Sequence, residues 1–367
     1  IKRRSSSEDH ALYDSIRGIN KQLSSNTNTV EATNTAPYEG FTSFDADGFT
    51  VNNNGAPNRA PNTYVAWSFK AGGAAVSNTD GTTTSQVSVN NTLGFSIVNY
   101  TAQGGTSVGH GLNGAPDLII LKGVDTAETW QVYNSASGTG KYMELNANAA
   151  EVSRANSFSS VTATTFTNNW TSGNVEWIAY CFKSQTGFSK IGSYAGNGTT
   201  SHMIQTGFKP AFLMIKSSTD VGSWNIIDDK RNTNNPIDNV LYAEANSSED
   251  VNSVNVKANF LTNGFELLTD SSDINASSRS YIYVAFAANP STTTPSLANS
   301  FAPKLYNGSS STPLTVNGLG FKADFSWLKV RNNTWSHGLF SSLMPGGVND
   351  GVKIVYSNNT DAATDLW

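Results

Sequence analysis

Apolar and polar residues alternate with a period of two through the strongest segments of this chain. Tyr64-Val-Ala-Trp-Ser-Phe-Lys70, Trp177-Ile-Ala-Tyr-Cys-Phe182 and Tyr281-Ile-Tyr-Val-Ala-Phe286 are rich in aromatic and β-branched side chains, the pattern of strands. Leu118-Ile-Ile-Leu121 and Phe212-Leu-Met-Ile215 are short unbroken apolar runs, which predict central strands covered on both faces. Asn-Gly pairs at Asn54-Gly55, Asn113-Gly114, Asn197-Gly198 and Asn263-Gly264 mark turns between such segments. Long amphipathic helices are not predicted; a short helical turn is expected near Leu12 to Leu23. The fold class that follows is all-β, of the sandwich kind.

The pattern also repeats. Pro116-Asp-Leu-Ile-Ile-Leu-Lys122 superposes on Pro210-Ala-Phe-Leu-Met-Ile-Lys216, and the same shift places Trp130 on Trp224. Ile1 to Tyr13 superposes without a gap on Leu328 to Phe340, bringing Lys2 onto Lys329 and His10 onto His337. Both ends of the sequence fall inside a repeat, so the expectation is a window on a longer tandem array. Residues 1–73 are assigned to the C-terminal part of a first repeat, 74–93 to an exposed linker, 94–185 to a second repeat and 186–290 to a third. Residues 291–299 form a Pro/Thr joint, and 300–367 the N-terminal part of a fourth repeat. Because Phe182 to Phe188 leaves almost no slack, the second and third repeats are expected to pack as one body, with a shared sheet edge as one way of doing so. Tandem modules of this kind serve more often as spacers and binders than as enzymes.

Composition narrows the class. Charged residues are 14% of the chain, about half the usual share, while aromatics reach 11%, so core-forming surface is ample. A net charge of −5 argues against nucleic acid, which needs clustered cations. The one basic cluster, Lys2-Arg3-Arg4, reads as a solvated strand end. The single cysteine, Cys181, excludes an internal disulfide and occupies a slot that holds Ser68 in the first repeat, so it is read as a small buried side chain. No run has the roughly 18 apolar residues of a membrane helix, and membrane insertion is not expected.

Motifs that could carry chemistry lose to structural readings. Gly105-Thr-Ser-Val-Gly109 fits a nucleophile-elbow pattern but lies between predicted strands, and the third repeat lacks it. Asp45-Ala-Asp-Gly48 opens like a calcium loop, yet the third repeat keeps only the Gly-Phe turn at Gly264-Phe265, so a hairpin is predicted. The four histidines have no metal-ligand spacing, and no metal or cofactor is expected. His10, Trp130, Trp224 and His337 share one slot, which reads as a flat-ring packing position. Asp14-Ser-Ile-Arg17 and Asp228-Asp-Lys-Arg231 recur as a structural ion pair; the second repeat has Asn134 and no basic partner. Most aromatics fall inside strands. Trp170 and Trp335 lie outside them and are the candidates for ligand contact.

The succession His10 to Gly18, Leu23 to Thr27, Phe41 to Phe49 and Thr63 to Trp67 resembles a repeat of tail-fibre and virion-appendage proteins of tailed phages. Gly187 to Gly198, Gly207 to Lys216 and Trp224 to Asn239 resemble a better-preserved copy. In the second repeat Thr165-Phe166 stands where that family has a Gly-Phe turn. The resemblance implies tandem jelly-roll or concanavalin-like, lectin-like modules on an extracellular virion part, with no binding residue specified. It further implies a homotrimer by analogy with other fibres, and adsorption to a host surface glycan or protein beside other virion proteins. A secreted bacterial adhesin, surface-layer or filament-forming protein, and last a glycan depolymerase, are the alternatives.

Overall fold

The computed structural model describes residues 1–34, 40–52, 56–102, 104–170 and 173–287, together with 305, 307, 325–328, 334, 338–341, 352–356 and 364–366. Strands dominate, and the helical content among the described residues is a single 3-10 turn at Ala56–Asn58. Contacts divide the chain into two units, Ile1–Ser291 and Thr292–Trp367.

In the first unit, the second repeat comprises β10 (Phe95–Ala102), β11 (Ser107–Gly109), β12 (Leu118–Gly123), β13 (Gln131–Asn134), β14 (Lys141–Glu144), β15 (Val152–Ser153), β16 (Ser160–Val161), β17 (Thr165–Thr167) and β18 (Val175–Phe182). The third comprises β19 (Ser189–Ala195), β20 (His202–Gln205), β21 (Phe212–Ser217), β22 (Asn225–Asp228), β23 (Leu241–Tyr242), β24 (Ala258–Leu261), β25 (Gly264–Leu267) and β26 (Ser280–Phe286). Their antiparallel orders correspond strand for strand: β10-β18-β12-β13-β14 against β19-β26-β21-β22-β23, and the small sheets β11-β17-β16 against β20-β25-β24. The two large sheets are separate, so no edge is shared. The first repeat supplies β1 (Lys2–Arg3), β2 (Leu12–Asp14), β3 (Gly18–Leu23), β4 (Ala32–Thr33), β5 (Phe41–Asp45), β6 (Gly48–Val51) and β7 (Tyr64–Val65). There β1 pairs with β7 as β12 does with β18, and β2-β3-β4 repeats β13-β14-β15.

Two sequence expectations are corrected here. Leu12 to Leu23 is a hairpin of β2 and β3, not a helical turn; Leu12 pairs with Leu23. Residues 74–93 are not an exposed linker. They contribute β8 (Val76–Asn78) and β9 (Ser85–Asn90), which extend the second repeat's large sheet beyond β10 to eight strands. Val87 is buried at 2% exposure, which gives this polar stretch its anchor.

Each large sheet is covered on both faces, which is why its central strands are continuously apolar. In the second repeat Val98, Ile119, Leu121 and Ala179 face the small sheet, packing with Phe166. Phe95, Ile97, Leu118 and Ile178 face the other way, into a central core that also holds Leu23 of the first repeat and Ile191, Met214 and Ile226 of the third. Leu213, Ile215 and Tyr283 fill the third repeat's own sandwich with Phe265. The Gly-Phe hairpins owe their glycine to the backbone: φ is 141° at Gly48 and 156° at Gly264, where a side chain is strained. The second repeat reaches the same hairpin without glycine. Its Val161 pairs with Phe166, and Thr162 closes the turn by donating its N–H to Thr165 O at 2.8 Å.

In the second unit the described strands β27 (Phe325–Leu328), β28 (Gly338–Ser341), β29 (Val352–Tyr356) and β30 (Thr364–Leu366) pair antiparallel in chain order, the succession seen in β12 to β15. Residues 291–299, Trp335 and His337 lie outside the described residues.

Candidate functional site

The three repeats of the first unit close on one another. Glu31 N–H donates to Val124 O, Glu151 N–H to Ser218 O and Glu249 N–H to Arg4 O, at 2.8, 2.9 and 2.9 Å. These are equivalent bonds running first to second, second to third, and third back to first. The shared His/Trp slot makes a second cycle. Trp130 Nε1 donates to Ser24 O at 2.9 Å, Trp224 Nε1 donates to Glu144 O at 2.8 Å, and His10 Nε2 lies 3.0 Å from Tyr242 O. All three rings are buried. A third cycle is aromatic: Phe69, Phe182 and Phe286 occupy one repeat position and touch each other at 5.0 to 5.8 Å between centroids. Three such cycles define a pseudo-threefold ring built from one chain.

Charged side chains serve the seams of this ring. Asp14 pairs with Arg17 at 2.5 Å and Asp228 with Arg231 at 2.7 Å, all four side chains at 4% exposure or less, as the recurrent Asp/Arg spacing predicts. Each arginine reaches onward to a glutamate, Arg17 to Glu31 at 2.9 Å and Arg231 to Glu249 at 3.0 Å. The neighbouring repeat then caps the acid: Tyr180 Oη donates to Asp14 Oδ2, and Trp67 Nε1 donates to Asp228 Oδ2. The basic cluster is therefore not a solvated strand end. Lys2 and Arg3 are buried, Arg3 pairs with Glu8, and Arg4 pairs with Glu249 of the third repeat at 2.8 Å. Closure of the ring puts that strand inside a seam.

Lys2, Lys122 and Lys216 occupy one repeat position, and each donates to the carbonyl of its next residue, at 3.0, 2.6 and 2.7 Å. Burial lowers all three ammonium groups to about 8. Lys2 and Lys122 also reach Asn246 O and Asn28 O across their seams. Burial holds the His10 imidazole at about 3, so it is neutral at ordinary pH, and pushes the Cys181 thiol up to about 12. The lysines and His10 serve as donors to main-chain carbonyls.

Of the two tryptophan candidates, the structure describes Trp170. Its ring is half-buried against the second sandwich, its Nε1 donates to Glu128 Oε2 at 2.7 Å, and Tyr142 meets it edge-on at 4.9 Å. The Arg154 guanidinium carbon lies 4.0 Å from the ring centroid, so a ligand stacking on that face would first displace a cation. The remaining motifs resolve as turns and packing. Ser107 Oγ contacts Thr82 Oγ1 at 3.3 Å, while His110 Nε2 lies against Thr162 O, so the elbow-like serine and histidine have separate partners. Asp45-Ala-Asp-Gly48 is the β5–β6 hairpin, with Asp45 pairing to Gly48. Among the described residues no three His, Cys, Asp or Glu side chains are grouped to hold a metal ion.

The closed ring coincides with a recognised sequence family. No curated protein and no solved structure matches the chain. Residues 1–290 match the model of a family described as a domain of unknown function, DUF7483, which spans all three ring-forming repeats, and the chain belongs to that family.

Proposed function

We propose that this chain is a structural and host-recognition component of a phage tail fibre or related virion appendage, with lectin-like jelly-roll modules that adsorb to a cell-surface glycan or protein. The observation that carries the reading is the ring itself. Its charged and indole groups are committed to main-chain and side-chain partners across seams, which suits a rigid body that displays surface. The resemblance of His10 to Gly18 and Gly187 to Gly198 to appendage repeats gives that body its setting. The reading assigns the chain no reaction, and includes homotrimer assembly with other virion proteins outside the host cell. Trp170, with Trp335, is its ligand-contact candidate.

Immunogold labelling of intact particles with antibody to the purified chain tests the location, and decoration of fibres is expected. Purified chain is expected to compete with particles for adsorption to host cells. Labelling absent from particles, or adsorption untouched at saturating chain, overturns the reading.

A further inference from the structure

The three seams are built from equivalent residues, but one has no arginine on its glutamate. Glu249 accepts from Arg4 and Arg231, and Glu31 from Arg17 and Lys21. At the seam between the second and third repeats, Ser137 stands where Arg17 and Arg231 stand elsewhere, and Ser218 stands where Arg4 does. Glu151 is left with Lys141 alone, at 2.9 Å from Oε1, and its Oε2 is buried without a protein partner. The capping ring is missing too, since Val284 takes the place of Trp67 and Tyr180. Asn134 replaces the aspartate; its Oδ1 accepts from Ala136 N–H, as Asp14 Oδ1 accepts from Ile16 N–H, while its Nδ2 is buried and unpartnered.

What remains is a recess of about 260 Å³ lined by Ser137, Lys141, Glu151, Ser218, Thr219 and Ser280 among others. Its charge balances as it stands, Lys141 against Glu151, because the aspartate and the arginine were lost together. An entering guanidinium would restore a bond to Glu151 but leave a net positive charge beside Lys141. A hydroxyl group can do what neither cation nor anion can. It can donate to the Glu151 carboxylate and accept from the Lys141 ammonium, and the lining serine and threonine hydroxyls can act in either sense. The volume lies below that of sites for drug-sized ligands, which start at about 300 Å³, and suits a single ring.

We propose that this recess is a binding site for a neutral polyhydroxylated ligand, a single sugar ring or comparable polyol, held by Glu151, Lys141 and the surrounding hydroxyls. The site is argued from its own chemistry and does not rest on the adsorption reading. The test is a titration of the full chain with methyl α-D-glucopyranoside and with glycerol, followed by isotope-edited amide spectra. Methylguanidinium serves as the cationic comparator. Saturable shifts confined to Ser137, Ser218, Thr219 and Ser280 are expected with the neutral probes. Ser137→Arg and Ser218→Arg each refill the seam with the residue used in another seam, so both variants are expected to fold, as a thermal melt verifies. Each should weaken the neutral probes roughly tenfold or more. Failure of both neutral probes to saturate, saturation that survives both substitutions, or preferential saturation by methylguanidinium overturns the assignment.

Discussion

At the residue scale, one slot accepts histidine or tryptophan because it needs a flat ring with an N–H aimed at a main-chain carbonyl across a seam. In the first repeat the slot residue is titratable. The folded state holds His10 at about 3, whereas an unfolded histidine protonates near 6.5, so the unfolded chain binds the extra proton. Stability from this group is complete above pH 6.5 and is lost progressively as pH falls toward 3. At pH 5 the loss amounts to about 2 kcal/mol. His10→Trp, which installs the residue the other two repeats use, should fold and should remove that part of the acid sensitivity. Urea unfolding of both proteins at pH 7 and pH 5 measures it. Parallel losses in the two proteins would exclude His10 as the sensing group.

At the element scale, the seams distinguish a hydrogen bond from a charge. Tyr180 Oη donates to an Asp14 carboxylate that Arg17 already pairs and accepts a long bond from Arg17 Nη2, so Tyr180→Phe removes two bonds but no charge and should cost about 1–2 kcal/mol. Arg17→Met leaves Asp14 with no cation and Glu31 with Lys21 alone, and should cost about 3–5 kcal/mol, because the buried Asp14 charge is left uncompensated. Denaturant midpoints at constant slope give both values; equal costs would mean that the arginine acts as packing alone. Much of this element structure was legible in the sequence. Repeat register placed the strands of the second and third repeats, the Asp/Arg clamp and the flat-ring slot, because side chains serving one purpose recur at one spacing. The polar stretch at 74–93 hid β8 and β9, though Val87 and Val89 alternate within it, because its serines and asparagines match loop composition as well as edge-strand composition. The recess escaped for a different reason. The absence of a basic partner beside Asn134 can be read from one repeat, but a lost partner becomes a cavity only where another repeat's serine faces it.

At the scale of the whole molecule, closure changes what the repeats can do. In an open string each module touches only its neighbours, stability accumulates along the array, and end modules can fray. Here the third repeat returns to the first through Glu249 and Arg4, so none of the three has a free interface. Side-chain periodicity could not announce this, because the indole and imidazole bonds end on main-chain carbonyls of Ser24, Glu144 and Tyr242, which leave no mark on residue type, and nothing in the spacing of Arg4 and Glu249 marks them as partners. The shared aromatic contact ties the three together: Phe182 is buried and meets Phe69, Phe95 and Phe286. Truncating it to alanine should cost about 3–5 kcal/mol, the price of a large cavity. How that cost is distributed separates the two architectures. A string would lose the second repeat first, and its heat-capacity trace would split. A ring must lose all three repeats at once, so residues 1–291 should melt in one transition whose calorimetric and van't Hoff enthalpies agree. Phe182→Ala should move that transition to lower temperature without dividing it. A resolved low-temperature step carrying about a third of the enthalpy would show independent modules and a ring that does not act as a unit.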